Sequence, residues 1–260
     1  MGELIHWKEP TGILILPSGE IHVWRAKLDC HPSVVRLLSG ELSRDEWCRA
    51  SNFYLEKDRS RFIVCRGILR RILALYLRAQ PDQLKFDNGQ YGKPTLACPN
   101  QDIKFNLSHS KGLALYAVCV KRDIGVDLES IREITNATRI AKQVFTLKQQ
   151  QEYFSEKGME RIKAFFRIWT QIESYVKAVG SGLAEFLDNQ DVLTMHPLNN
   201  GRNIYNYEEC FTFSTSIDMN YMTSICVHNS DCYPLKFQWF EANCLCRDSI
   251  KEQRCFHFGK

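Results

Sequence analysis

Two short segments of the 260-residue chain carry side chains whose types and spacing suit chemistry. In "IGVDLES", residues 124–130, strand alternation puts Ile124, Val126 and Leu128 on one face and Gly125, Asp127 and Glu129 on the other. Two carboxylates that project together raise each other's proton affinity unless a cation sits between them. Taken alone, an Asp-x-Glu pair is also what a solvated strand face looks like. In "FFRIWTQIESYVKAVGSGL", residues 165–183, Trp169, Glu173 and Lys177 recur at four-residue steps and share one helix face. If that helix faces the strand, Asp127, Glu129 and Glu173 supply three hard oxygen donors. Mg²⁺ favours such carboxylates together with waters and substrate phosphate. The competing account is an i,i+4 surface pair between Glu173 and Lys177, worth about 0.3 to 0.5 kcal/mol.

Cations are spread as a phosphate site would need. Arg61 opens a helix, Lys93 follows a glycine in a turn, His109 sits in a strand connection and Lys177 lies one turn beyond Glu173. None is specific alone, because the chain has 34 Lys and Arg residues.

The elements that must position these groups follow from periodicity and turn chemistry. Residues 13–16 and 21–26 predict a β-hairpin around Pro17-Ser18-Gly19. Ser43 is placed as a helix N-cap, with Glu46 three residues on to complete a capping box. Residues 58–78 have helical periodicity, with Phe62, Leu69, Ile72, Leu73 and Tyr76 inward and the arginines largely on other faces, and Pro81 stops the helix. A polar turn over 87–94 precedes strands at 103–107 and 113–120, joined by a polar turn at 108–112. Residues 121–123 form a junction, and a strand begins at 124. A helical section from 137 to 179 leads into a tail with strands at 209–217, 222–228 and 236–240. The expected class is α+β, in two parts divided into residues 1–122 and 123–260, each combining strands with one or two long helices.

Four of these segments, in order and spacing, resemble the Sfp-type 4′-phosphopantetheinyl transferases: "YGKP" at 91–94, "FNLSHS" at 105–110, "IGVDLE" at 124–129 and "WTQIESYVKAVGSGL" at 169–183. The likeness is close from about residue 42 to 183 and looser in the tail, where "YMTSICV" at 221–227 still looks like a family strand. The resemblance implies two similar α+β halves related by a pseudo-twofold axis, with coenzyme A between them. It implies transfer of the phosphopantetheine arm of coenzyme A to a serine of an apo acyl or peptidyl carrier protein, with release of adenosine 3′,5′-bisphosphate. On matching positions Asp127, Glu129 and Glu173 would hold Mg²⁺ against the pyrophosphate, and Lys177 would contact the pyrophosphate. Arg61 and His109 would grip the 3′-phosphate region, with Arg49 a weaker match for a further contact there. Lys93, Pro94 and Ser108 would border the nucleotide. Glu173, or a water it orients, would take the serine proton, so that Glu173, Lys177 and Asp127 form the catalytic group.

One departure stands out. The family usually has Lys just before this Glu, and here the position is Ile172. A phosphate contact, or a cation near the metal, would then be missing, with Lys111 and Arg167 as candidate substitutes. A relative that binds coenzyme A or a carrier without turnover is therefore the alternative reading. A metal-dependent phosphohydrolase acting on simple phosphate esters is a third.

Composition bounds the rest. With 44% hydrophobic and 25% charged residues the chain reads as globular, and a net charge of +4 gives no nucleic-acid-sized basic field. No apolar run approaches the roughly 18 residues of a membrane span, and the first ten residues lack a secretory pattern. A cytoplasmic monomer is expected. The 11 cysteines, an odd number in mostly apolar company, predict reduced thiols. The late group Cys226, His228, Cys232, Cys244, Cys246, Cys255 and His257 contains no CxxC pair, so packing and surface cysteines are expected in preference to zinc. Four cations against one acid over residues 131–150 (Arg132, Arg139, Lys142 and Lys148 against Glu133) make a face that suits an acidic carrier helix, although a solvated helix has the same look.

Overall fold

The computed structural model describes residues 5–89, 91–97, 102–188, 196–197, 204–207, 210–228 and 235–246. Its first sheet has the order β11-β1-β5-β4, from β1 (Glu20–Lys27), β4 (Ile103–Ser110), β5 (Leu113–Val120) and β11 (Lys236–Glu241). The second has the order β6-β10-β9-β8-β7, from β6 (Ile124–Ser130), β7 (His196–Pro197), β8 (Ile204–Tyr207), β9 (Cys210–Asp218) and β10 (Tyr221–His228). A small hairpin pairs β2 (Phe86–Asn88) with β3 (Pro94–Leu96). The helices are α1 (Pro32–Ser39), α2 (Arg44–Ser51), α3 (Glu56–Leu77), α4 (Ala137–Val144), α5 (Leu147–Ser155), α6 (Gly158–Val179) and α7 (Leu183–Asp188).

Strand alternation divides the apolar side chains among three clusters. Trp24, Ala26, Ala114, Tyr116 and Val118 of the first sheet pack with Ile68, Leu69 and Ile72 of α3. Ile21, Val23, Leu115 and Ala117, from the opposite face, meet Ile124, Val126, Leu128, Ile225 and Val227 of the second sheet. Met222 and Cys226 pack with Ile168, Ile172 and Val176 of α6. The expected alternation of β6 therefore holds, but its polar face lies under a helix instead of facing water.

Long-range pairing corrects several expectations. Residues 13–16 form no strand, and Ile13 and Ile15 are 74% and 73% exposed, because β1 already has β5 antiparallel on one edge and β11 parallel on the other. β11 thus returns from the far part of the sequence to complete the first sheet. β4 runs on to Ser110, so His109 lies on a strand, and the turn shrinks to Lys111 and Gly112, with Lys111 at φ 51°. The helical section is three helices, α4 to α6.

The α3 arginines are not on a solvated face. Arg70, 1% exposed, donates to Glu46 Oε2 at 2.7 Å and to the carbonyls of Pro81 and Leu84, while Arg66 binds the other oxygen of Glu46 and Arg71 pairs with Glu41. Buried charge is tolerable only when paired in this way. Glu46 also completes the expected capping box, accepting from the Ser43 N–H at 2.9 Å.

Cys65, Cys119, Cys210, Cys226 and Cys246 are buried and not disulfide-bonded, and burial pushes Cys65 up to about 11. Cys232, Cys255 and His257 lie outside the described residues. No described helix is long and apolar enough to cross a membrane.

The seam between the sheets is unusual. β4 and β6 are edge strands of different sheets, and side chains of one bond the backbone of the other. The Val126 N–H donates to Asn106 Oδ1 at 2.9 Å, the Leu128 N–H to Ser108 Oγ at 3.2 Å and the Ser130 N–H to Ser110 Oγ at 3.0 Å. Replacing Asn106 by Ala leaves a buried N–H without its acceptor. The expected loss is about 1 to 3 kcal/mol of stability, read from the urea midpoint with an unchanged m-value.

Candidate functional site

The site is built where α6 lies on β6, and Gly125 is why the two can meet so closely. A Cβ at that position would sit 2.0 Å from the Ser174 carbonyl oxygen and 2.4 Å from the Ala178 nitrogen. Only glycine permits this approach. It brings one face of α6 over Asp127, whose backbone carbonyl is fixed by Thr223 Oγ1 at 2.6 Å.

Asp127 is 5% exposed. Its Oδ1 accepts from Lys177 Nζ at 2.7 Å and from Ser108 Oγ at 3.0 Å. Its Oδ2 is buried and has no hydrogen-bond partner among the described residues. Lys177 also reaches Ser108 Oγ and the Val126 carbonyl, both at 3.2 Å, so it bridges α6 to β4 and β6 instead of serving only its helix neighbour Glu173. Glu129 Oε2 accepts from Ser110 Oγ at 3.2 Å and from Arg132 Nη1 at 2.9 Å. Burial raises the proton affinity of Glu173, and so do the charges of Asp127 and Glu129, while Lys177 pulls it down.

Those carboxylates influence one another, yet among the described residues no three acidic, His or Cys side chains already close into a metal-binding group. The geometry shows what intervenes: Lys177 holds Asp127 and Arg132 holds Glu129. The donor set still fits a hard divalent cation. An unsatisfied buried carboxylate oxygen on Asp127, beside a second carboxylate whose ionisation its neighbours oppose, is an arrangement that such an ion relieves.

His109 lies within electrostatic reach of both Lys177 and Arg61. His109 is held below the usual histidine range by the surrounding protein and by the charges of Lys177 and Arg61. Arg61 forks onto Asp29, with Nε to Oδ1 at 2.7 Å and Nη2 to Oδ2 at 2.8 Å. Arg49 is exposed on α2, its guanidinium 5.6 Å from the Phe62 ring centroid, and it joins none of the carboxylates above among the described residues.

The Lys93 ammonium is engaged with backbone and does not project as a free phosphate-binding charge. It donates to the carbonyls of Ile124 at 3.0 Å, Lys177 at 2.5 Å and Ala178 at 3.3 Å. Burial draws its pKa down, and its position at the C-terminal end of α6 sets a cation where the helix dipole favours one. Lys93 and Pro94 do line a cleft of about 410 Å³, together with Tyr91, Phe105, Ile124 and Gly180.

Ile172 carries no contact to the site. It is fully buried with Ile168 and Val176, so in this chain the position faces the core and not the carboxylates. Of the two candidate substitute cations, Arg167 pairs with Glu152, and Lys111 occupies the tight turn after β4. Trp169 stacks on Phe165, one turn earlier on α6, with ring centroids 6.1 Å apart, and packs against the apolar cluster beneath the helix.

Sequence reasoning missed Asn106, Ser110, Thr223, Asp29 and the contacts of Arg132. The signal for the first two was present, since Asn106, Ser108 and Ser110 alternate on one face of a strand. A second groove, of about 470 Å³, lies between the segment from Arg132 to Thr138 and Tyr153, Arg161 and Phe166. Arg139, Lys142 and Lys148 are exposed nearby in sequence.

Known proteins match over most of this chain. A family model described as the 4′-phosphopantetheinyl transferase superfamily matches residues 123–226, and one described as the N-terminal part of 4′-phosphopantetheinyl transferase matches residues 24–121. The chain is similar to the 4′-phosphopantetheinyl transferase HetI of Nostoc sp., with 41% identity over 190 residues, covering 72% of this chain and 80% of that one. It is 31% identical over 160 residues to the 4′-phosphopantetheinyl transferase gsp of Aneurinibacillus migulanus, covering 60% and 63%. It is 25% identical over 195 residues to the 4′-phosphopantetheinyl transferase Sfp of Bacillus subtilis, covering 72% and 81%.

The raised proton affinity of Glu173 has a measurable sign. Between the ordinary glutamate value, about 4.3, and the higher native value, the folded state binds more protons than the unfolded one, so stability falls as pH rises. In metal-free protein, Glu173→Gln is expected to remove that fall. Thermal melts of both proteins across the acid-to-neutral range, in a chelating buffer, check it: parallel curves contradict the assignment.

Proposed function

The chain belongs to the 4′-phosphopantetheinyl transferase superfamily, and on that premise we propose that it transfers the 4′-phosphopantetheine group of coenzyme A to a serine of an apo acyl or peptidyl carrier protein. The observation that carries this reading for the site is the buried Oδ2 of Asp127, without a hydrogen-bond partner among the described residues, held beside Glu173 by the Lys177 and Ser108 contacts to Oδ1. In the reaction the serine oxygen forms a bond to the phosphorus that carries pantetheine. The bond from that phosphorus to the rest of the diphosphate breaks, and adenosine 3′,5′-bisphosphate leaves.

Mg²⁺ would be held by Asp127, Glu129 and Glu173, and when bound it supplies neutralisation of charge on the diphosphate oxygens. Each residue has a further task. Glu173, whose proton affinity is raised by burial and by the neighbouring carboxylates, takes the proton of the attacking serine. The Lys177 ammonium, engaged with Asp127 Oδ1, Ser108 Oγ and the Val126 carbonyl, would exchange these acceptors for phosphate oxygens when the diphosphate enters, since phosphoryl transfer is helped by positive charge at the site. Ser108 holds Asp127 in orientation through Oδ1.

His109 and Arg61 receive the 3′-phosphate region. An incoming dianion raises the depressed affinity of His109 for its proton and so strengthens its own grip. Arg49 is a more distant contributor. Lys93 acts by fixing the end of α6, and Pro94 borders the nucleotide in the adjoining cleft. The proposed halves, residues 1–122 and 123–260, meet along β4 and β6, with β11 returning to the first sheet. Since one chain supplies both sides of the cleft, a monomer suffices.

Incubation of the full chain with coenzyme A, Mg²⁺ and an apo carrier is expected to add one phosphopantetheine group, seen as the corresponding mass gain on the carrier. Asp127→Ala and Glu173→Gln should each lower kcat/KM by about a hundredfold or more. No mass gain on a panel of acyl and peptidyl carriers removes the proposal. Ile172→Lys, by contrast, buries an ammonium in an apolar cluster, so it is expected to lower the Tm and to leave kcat no higher.

A further inference from the structure

Both carboxylates of β6 are matched by cations, but the two pairs differ in kind. Lys177, half-buried, meets the buried Asp127 between α6 and β6. Arg132 meets Glu129 from outside: it lies two residues beyond the end of β6 and is exposed. Its Nη1 donates to Glu129 Oε2 at 2.9 Å, to the Ser130 carbonyl at 2.9 Å and to Ser130 Oγ at 3.1 Å, and its guanidinium carbon lies 5.2 Å from the centroid of the Phe166 ring. The two N–H donors of Nη1, shared among these three oxygens, and the ring face hold this side chain beside the carboxylate.

The charges then have a consequence. Asp127, Glu129 and Glu173 present three acids, and Lys177 and Arg132 bring two cations against them. A bare divalent ion approaching Glu129 meets a carboxylate that is already paired, and it is repelled by both cations. The same ion arriving with a diphosphate brings anionic oxygens that can accept Arg132 and Lys177 as they leave the carboxylates. Phosphate oxygens suit a guanidinium as well as a carboxylate does.

We propose that Arg132 is a displaceable counter-ion of Glu129, so that the site takes up a divalent cation together with the diphosphate of coenzyme A and resists the bare ion. The inference rests on the reading of Asp127, Glu129 and Glu173 as the metal-holding group. It makes Arg132 a positioning residue, set to hand Glu129 over when the nucleotide enters.

Mn²⁺ is the probe, titrated into the full chain with and without coenzyme A and followed by electron paramagnetic resonance and calorimetry. In the wild type, coenzyme A should tighten Mn²⁺ binding. Arg132→Gln should tighten Mn²⁺ binding in the absence of coenzyme A by about threefold, the scale of an exposed ion pair, and reduce the enhancement by coenzyme A accordingly. Arg132→Lys should stay near the wild type, and Arg132→Ala should repeat the Gln result, which guards against a defect peculiar to one variant. Mn²⁺ affinity that is unchanged or weaker in Gln and Ala variants melting like the wild type overturns the proposal while leaving the metal group standing. Failure of every protein to bind Mn²⁺, even with coenzyme A, overturns both.

Discussion

Edge strands present rows of unpaired backbone groups, and here two such edges, β4 and β6, lie against each other without forming one sheet. Their donors must still be satisfied, because the seam is buried. Asn106, Ser108 and Ser110 do this with side-chain oxygens, each accepting from one alternate N–H of β6. A ladder made of side chains behaves differently from one made of carbonyls. A hydroxyl can accept from the backbone and still donate elsewhere, and Ser108 does so, giving its proton to Asp127. Ser110 reaches Glu129 in the same way. The two carboxylates are thus oriented by the groups that hold the sheets together, so loss of the seam and loss of the site are not separable events.

The helix that completes the site depends on a second constraint, the missing side chain at Gly125. With α6 resting on β6, its last carbonyls come within reach of Lys93, which ties the β2–β3 hairpin to the helix end and to the Ile124 carbonyl. One glycine and one lysine fix the depth and end of α6. Asp127, Lys177 and Glu173 then fall into range of one another.

Much of this was legible in the chain, and the parts that were not share a cause. The alternation in "IGVDLES" and the four-residue spacing of Trp169, Glu173 and Lys177 are local, and each came out on the face it implied. The capping box at Ser43 and Glu46 is local too. Properties that depend on distant partners were hidden. Residues 13–16 have strand-like alternation but no free edge to join, since β11 arrives from elsewhere. Arg66 and Arg70 look solvated until Glu46 is brought between them from another helix. Lys93 resembles a ligand-binding cation in its turn, and only the end of α6 shows that its three protons are already committed. Ile172 could not be judged from its alignment position, because direction around a helix decides whether a departure removes a contact or fills the interior.

The return of β11 to β1 bears on how such a chain emerges from the ribosome. Glu20 and the residues after it wait for Lys236 and its successors before the first sheet has its fourth strand, so all of the chain between them must be synthesised before β1 is paired on both edges. Contacts that span so much sequence form late and slowly. Until then Ile21, Val23 and Trp24 belong to an incomplete layer, and the nascent chain during that interval is a natural client for chaperones.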